Sequence, residues 1–305
     1  MYMTEKATVI GLNGVTKRFG KFVAVQDISV TVPSGQIVGF VGANGAGKTT
    51  TIAMMLGFLN ASDGDVELFG KMVHPANAQK SHHSVGYAAG DMELPAQLTG
   101  RQYLGFLRRQ RKSDTDNYEQ LLERFSPQLD KKIRTLSRGN KQKIALVAAF
   151  LGEPDLVVLD EPTSGLDPVM QEAFLSTVRE YKKQGKTVFM SSHYLQEVMD
   201  VCDRVLLMSH GRIVEDVTTS ELQAIGGKQV HIQTTYKQTK PPKDAEDATT
   251  ELNGDLLTLR FVYKGQMAEL QRWLAAVKQL KDVEVSEYNL EEAFKSLYET
   301  EEVSK

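Results

Sequence analysis

The sequence predicts an α/β fold: a mixed sheet with an antiparallel β start and a parallel remainder, interrupted by a helical insertion and followed by a small C-terminal α+β module. Three observations carry this reading. Short, continuously apolar runs ("IVGFVG", "DLVVLD", "TVFMSS", "RVLLMS") alternate with helix-length segments, as parallel strands do when helices cover both faces of their sheet. Strand signals stop over about residues 92–152, where helical periodicity takes over. The pair Gly226-Gly227 then marks a break before a different alternation of strands and one helix.

In chain order, residues 7–42 read as strands, with "VAVQDISVTV", the turn-like "PSGQ" and then "IVGFVG". The segments "LTGRQYLGFLRRQRK", "DTDNYEQLLERF" and "SRGNKQKIALVAAFL" are the insertion helices. Beyond the glycine pair come a strand ("QVHIQTTY"), a polar loop through Pro241-Pro242 ("KQTKPPKDAEDATTELNGD"), a strand ("LLTLRFVY"), an amphipathic helix ("QMAELQRWLAAVKQL"), "VEVSEY" and a last helix ("LEEAFKSLYET"). The expected domains are residues 1–225 and 226–305.

At 305 residues, 41% apolar and 25% charged, the composition is that of a globular chain with room for a large core. A formal charge of −3 provides no general attraction to nucleic acid or acidic lipid. A single cysteine, Cys202, excludes an internal disulfide framework and a multi-cysteine metal site. The first residues lack the basic-then-apolar order of a secretory signal. The longest apolar run, residues 144–151, is less than half of the roughly 20 residues that cross a bilayer as a helix. These features point to a cytoplasmic chain. "RRQRKSD" places Arg108, Arg109, Arg111 and Lys112 together, and with Asp114 and Asp116 following it reads as a solvated helix face. His82-His83 lacks the spacing of a metal site.

The chemistry concentrates in four stretches. "GANGAGKTT", residues 42–50, satisfies G-x-x-x-x-G-K-[ST] between a strand pattern and a helix pattern, which makes the fold a P-loop NTPase. There Gly42, Ala43, Asn44, Gly45, Ala46 and Gly47 wrap backbone N–H groups around phosphates. Lys48 neutralises the β and γ phosphates, and Thr49, followed by Thr50, offers a hydroxyl to Mg²⁺. "LVVLDEP" puts Asp160 and Glu161 at a strand end, Asp160 suited to Mg²⁺ and Glu161 to polarising a water that attacks the γ-phosphate. His193, after "TVFMSS", is positioned to reach the same pocket. "LSRGNKQK" places Ser137 and Gly139 at a helix start with Lys141 and Lys143 behind them, a setting for an anion.

In this order the motifs resemble those of the nucleotide-binding subunits of ATP-binding cassette (ABC) transporters, over about residues 7–225. "LSRGNKQK" stands at the family signature, "SGLDP" with Asp167 at the D-loop, His193 at the switch histidine, and Phe19 in "TKRFG" at the aromatic that stacks on adenine. The resemblance implies that two subunits clamp two ATP molecules, each signature facing the ATP of the partner. It also implies a separate membrane permease, which would hold the chain at the inner face of the cell membrane. "YNLEEAFKSLY" is similar to the ending of exporter-type members, and Arg138, where many members have Gly, is familiar among them. Gly90, in "VGYAAGDMEL", stands where the family carries Gln or Glu, so an Mg²⁺ ligand and a contact toward the permease depart from the pattern. Water or Asp91 are the substitutes at hand. Alternatives remain: a soluble ABC ATPase acting on ribosomes or DNA, or a weakly catalytic, nucleotide-gated interaction subunit.

Overall fold

The computed structural model describes residues 7–90, 93–111 and 115–287. It divides into two compact units, Met1–Val217 and Thr218–Lys305.

In the first unit, β1 (Thr8–Phe19) and β2 (Phe22–Pro33) pair antiparallel down to a tight hairpin at Phe19 and Phe22. They are followed by β3 (Ile37–Val41), α1 (Lys48–Met55), β4 (Asp63–Leu68), β5 (Lys71–Met72) and β6 (Val85–Ala89). The antiparallel strands do not extend the parallel sheet. They form a sheet of their own, β2-β1-β4-β5, which the chain re-enters after α1. β4 escapes a hydropathy reading because three of its six residues (Asp63, Gly64 and Asp65) are exposed and only Val66 and Leu68 are buried.

Three helices follow, α2 (Gly100–Gln110), α3 (Tyr118–Phe125) and α4 (Arg138–Phe150). α2 starts in a capping box, Thr99 Oγ1 accepting from Gln102 N–H while Gln102 Oε1 accepts from Thr99 N–H; such a cap contributes about 1 kcal/mol. The C-terminal half of α4 is buried throughout, and the carbonyl of Phe150 at its end accepts from both Asn117 Nδ2 and Tyr181 Oη, at 2.9 Å each. The basic cluster on α2 is not one solvated face. Arg108 pairs with Asp116, whereas Arg111 turns inward and donates to the Ala148 carbonyl at 3.2 Å. Burial there pushes its pKa down.

The remainder alternates β7 (Leu156–Asp160), α5 (Pro168–Lys183), β8 (Thr187–Ser192), α6 (Leu195–Met199), β9 (Arg204–Ser209) and β10 (Arg212–Thr218). The six-stranded sheet has the order β10-β9-β3-β8-β7-β6, and β3, β7 and β8 are buried along their whole lengths. β3, β8 and β7 are parallel and adjacent, so the loops leaving their C-terminal ends open on one edge of the sheet. That is where open α/β sheets bind ligands.

The second unit opens with α7 (Thr219–Gly226), introduced by a capping box between Thr218 and Glu221. Where the sequence reading placed a boundary after residue 225, the compact division falls at the start of this helix. The glycine pair is no loose linker: Gly227 has φ 64°, and a Cβ there would lie 2.6 Å from the Tyr263 carbonyl. β11 (Lys228–Thr234), β12 (Ala245–Asn253), β13 (Leu256–Tyr263), α8 (Met267–Ala276) and β14 (Leu280–Glu287) complete the unit as an antiparallel sheet of order β12-β13-β11-β14. Its core gathers Val230, Ile232, Leu259, Phe261 and Leu270, with Trp273 edge-on to Phe261 at 5.4 Å. The strand β12 replaces part of the polar loop expected from the sequence. It is an edge strand exposed on both faces apart from Ala245, so no apolar alternation betrays it. The exporter-like ending "YNLEEAFKSLY" lies outside the described residues. Among the described residues no helix is long and apolar enough to cross a membrane.

Candidate active site

The loop between β3 and α1 wraps because of its glycines. Gly47 caps α1 with φ 109°, a conformation closed to L side chains, and a Cβ there would lie 2.6 Å from the Ala24 carbonyl of β2. No side chain caps this helix N-terminus, so its first N–H groups remain open to an anion. Lys48 is buried and donates through Nζ to the carbonyls of Gly42 (2.7 Å) and Ala43 (3.2 Å). Burial lowers its pKa, while Glu161 and Asp160 pull the other way. Thr49 and the loop residues Ala43, Asn44 and Gly45 are exposed, Thr50 is half-buried and Ala46 is buried.

At the end of β7, Asp160 is buried and accepts a short hydrogen bond from Ser191 Oγ, the residue beside it on β8. The same hydroxyl accepts from the N–H of Glu161 at 3.0 Å. Glu161 has φ 49°, a left-handed conformation that costs a non-glycine residue about 1–3 kcal/mol and is kept only when neighbours impose it. Its carboxylate lies between two cationic or polar groups: Oε1 is 3.7 Å from Lys48 Nζ and Oε2 is 3.8 Å from His193 Nδ1. Lys48, Glu161 and His193, read from three separate stretches of sequence, therefore meet at one place.

Sequence reading missed the groups that support them. Ser191 is the first. Glu197 on α6 is the second: its Oε2 accepts from Thr163 Oγ1 and from Ser192 Oγ, both at 3.0 Å, tying the loop of His193 to the turn after Glu161. Ser191 could have been found from the parallel register, which sets it opposite Asp160 on one face. Glu197 had no such signal.

The other candidate residues make, among the described residues, no hydrogen bond to the phosphate loop. Ser137 caps α4, its Oγ accepting from Asn140 N–H at 3.3 Å, and among the described residues neither it nor Gly139 hydrogen-bonds the loop. A Cβ on Gly139 would sit 2.7 Å from the carbonyl of Gly165. Asp167 caps α5, accepting from Met170 N–H at 2.9 Å with Pro168 at the first helical position. Phe19 is half exposed at the tip of the β1–β2 hairpin, with Lys17 Nζ 5.2 Å from its ring centre. Gly90 N–H donates to the Asp160 carbonyl at 2.8 Å, and a Cβ there would press on the Glu161 carbonyl at 3.0 Å. It borders a cavity of about 500 Å³ lined also by Glu93, Arg134, Arg138 and Lys141. Asp91 lies outside the described residues.

An uncapped, glycine-wrapped helix N-terminus beside a strand end bearing an Asp-Glu pair defines a P-loop nucleoside triphosphatase. The ABC transporter family profile matches residues 25–164. The chain is 34% identical over 226 residues to the uncharacterized ABC transporter ATP-binding protein YhaQ of Bacillus subtilis, covering 72% of this chain and 74% of that protein. With the bacitracin transport ATP-binding protein BcrA of Enterococcus faecalis it shares 37% identity over 224 residues, 70% of each chain. A solved ATP-binding subunit of an ABC transporter superposes with a TM-score of 0.64 at 27% identity, over 71% of this chain and 92% of that one. The protein belongs to the ABC transporter ATP-binding family, and its activity is ATP hydrolysis in the service of transport.

Proposed function

We propose that this chain is the motor of an exporter: two copies clamp two ATP molecules and drive a separate membrane permease, which holds them at the inner face of the membrane. The observation that carries the hydrolytic half of this reading is the convergence of Lys48 at the start of α1 with Glu161 and His193 just beyond β7 and β8. Lys48 exchanges the carbonyls of Gly42 and Ala43 for the β and γ phosphates, and the open N–H groups of α1 complete the cradle. Glu161 orients and polarises the attacking water, and His193 hydrogen-bonds the γ-phosphate. The water oxygen bonds to the γ-phosphorus as the bridging P–O bond breaks, leaving ADP and inorganic phosphate. Asp160 and Thr49 fit Mg²⁺, since the ion needs only one or two protein oxygens and keeps several waters; when bound it spreads the phosphate charge. Phe19 stacks on the adenine ring.

Ser137 and Gly139 serve the partner's ATP, a role supported by the absence, among the described residues, of any hydrogen bond from them to the chain's own phosphate loop. Export rather than import is supported by relatives named for Nod factor export and linearmycin resistance.

Glu161→Gln retains ATP binding and loses turnover by two to four orders of magnitude, trapping an ATP-bound dimer visible by size-exclusion chromatography. Near-normal turnover removes Glu161 from the mechanism. The two-copy arrangement is tested by mixing Ser137→Arg with Lys48→Ala chains, each nearly inactive alone. In a mixed dimer one composite site is intact, so activity returns to roughly a quarter of wild type for random pairing and independent sites. Mixtures that yield neither activity nor ATP-driven pairing rule the arrangement out.

A further inference from the structure

Glu161 is held in its left-handed conformation by a turn that two different parts of the unit grip. On the β8 side, Ser191 accepts from the Glu161 N–H, and Glu197 accepts from Thr163. Within the turn, Ser164 N–H donates back to the Glu161 carbonyl at 3.2 Å and Leu166 N–H to the Thr163 carbonyl at 3.0 Å. The opposite side of the turn is gripped by α4. Gln142, 2% exposed, donates through Nε2 to the carbonyl of Pro162 at 2.8 Å, and Arg138, one helical turn earlier, donates through Nη2 to Ser164 Oγ at 2.9 Å. Between them Gly139 leaves room for the Gly165 carbonyl to approach.

Spacing of four residues puts Arg138 and Gln142 on the same face of α4, so the two bonds act as a single clip across residues 162–164. Pro162 is buried, and its carbonyl is an acceptor that burial makes costly to leave unmatched. The clip is anchored in a rigid helix whose residues from Ile144 to Phe150 are buried. The N-terminus of this helix carries Ser137.

We propose that Gln142 and Arg138 are positioning residues for Glu161: through Pro162 and Ser164 they hold the turn that aims its carboxylate, so the signature helix of a chain sets the hydrolytic geometry of that same chain. This rests on the reading of Glu161 as the group that orients the attacking water. If each signature faces the partner's ATP, the clip links the site a chain completes to the site it owns.

The test uses the full chain, with steady-state turnover, ATP titration and single-turnover hydrolysis. Gln142→Met keeps the side-chain volume and removes the donor; kcat is expected to fall about tenfold, with KM and ATP affinity changed less than twofold. Arg138→Met should lose about threefold in kcat, and Arg138→Lys, which retains a donor, should recover most of it. Arg138 is exposed, so this pair reports even if Gln142→Met folds poorly. The decisive measurement is the double variant: Glu161→Gln with Gln142→Met should be no slower than Glu161→Gln alone, because the clip acts only through that carboxylate. A further tenfold loss in the double variant, a rise in KM at constant kcat, or full turnover of both single Met variants overturns the proposal. Loss of turnover in Glu161→Gln beside normal Gln142→Met and Arg138→Met overturns the clip alone. Normal turnover in Glu161→Gln overturns the reading of Glu161 itself.

Discussion

Two helix N-termini in the first unit carry glycines and hydroxyls, and they are finished in opposite ways. α1 begins at Gly47 with no side-chain cap and no acidic residue in its first turn. α4 begins at Ser137, whose own hydroxyl accepts from Asn140 N–H, and it fits against the turn after Glu161. The first is shaped by backbone alone: no side chain caps it, and Lys48 beside it turns to the carbonyls of Gly42 and Ala43 and to the Glu161 carboxylate. The second has one N–H, that of Asn140, capped by the Ser137 hydroxyl, which still presents its O–H as a donor. One helix start is shaped by backbone conformation and the other by a side chain, so the two should differ in their sensitivity to substitution.

That contrast can be broken at its steepest point with Gly47→Ala. The methyl would need a φ of 109° and would approach the Ala24 carbonyl and the Met208 side chain at 2.6 Å. ATP affinity should fall at least a hundredfold in a nucleotide titration, with about 2 kcal/mol or more of stability lost in denaturant unfolding. Retained affinity would mean that the loop rearranges freely and the open helix end is not the binding element.

A smaller effect is expected between the two ends, at Gly90→Gln. The change supplies the side chain common in the family, but its Cβ would press on the Glu161 carbonyl at 3.0 Å. Turnover should drop several-fold with ATP affinity maintained. A gain in turnover would show that the strand end yields and that the missing amide, rather than the space, limits this enzyme.

The smallest change sharpens the comparison from the other side. Ser137→Ala should cost about 1 kcal/mol of stability, the typical value of a helix cap. ATP binding by the isolated chain should be unaffected in the same titration, because among the described residues Ser137 makes no hydrogen bond to the phosphate loop. A weakened affinity would place the signature in the chain's own site.

Much of the first unit was legible because its strands are buried on both faces. β3, β7, β8 and β9 stand out as apolar runs, and the segments that follow three of them bring Lys48, Glu161 and His193 together. Strands with little buried surface were not legible. β4 and β12 are held by backbone pairing to neighbours far away in sequence, and pairing leaves no hydropathy trace. Arg111 misled for a related reason: composition cannot tell a long side chain lying along a helix in water from one folded inward onto a carbonyl.

The sequence by itself determined the chemistry, since a glycine-wrapped lysine and two acids at a strand end are local patterns whose function depends on residue type and spacing. It also determined that α4 starts at Ser137, because capping acts over three residues. Only the tertiary structure decided what holds those groups in register. Ser191 serves Asp160 and Glu161 through the pairing of parallel strands, and Gln142 reaches Pro162 across 20 residues of chain. Such partners depend on which strand lies beside which and on how α4 meets the turn. These are long-range packing choices, and no short window of sequence contains both ends of them.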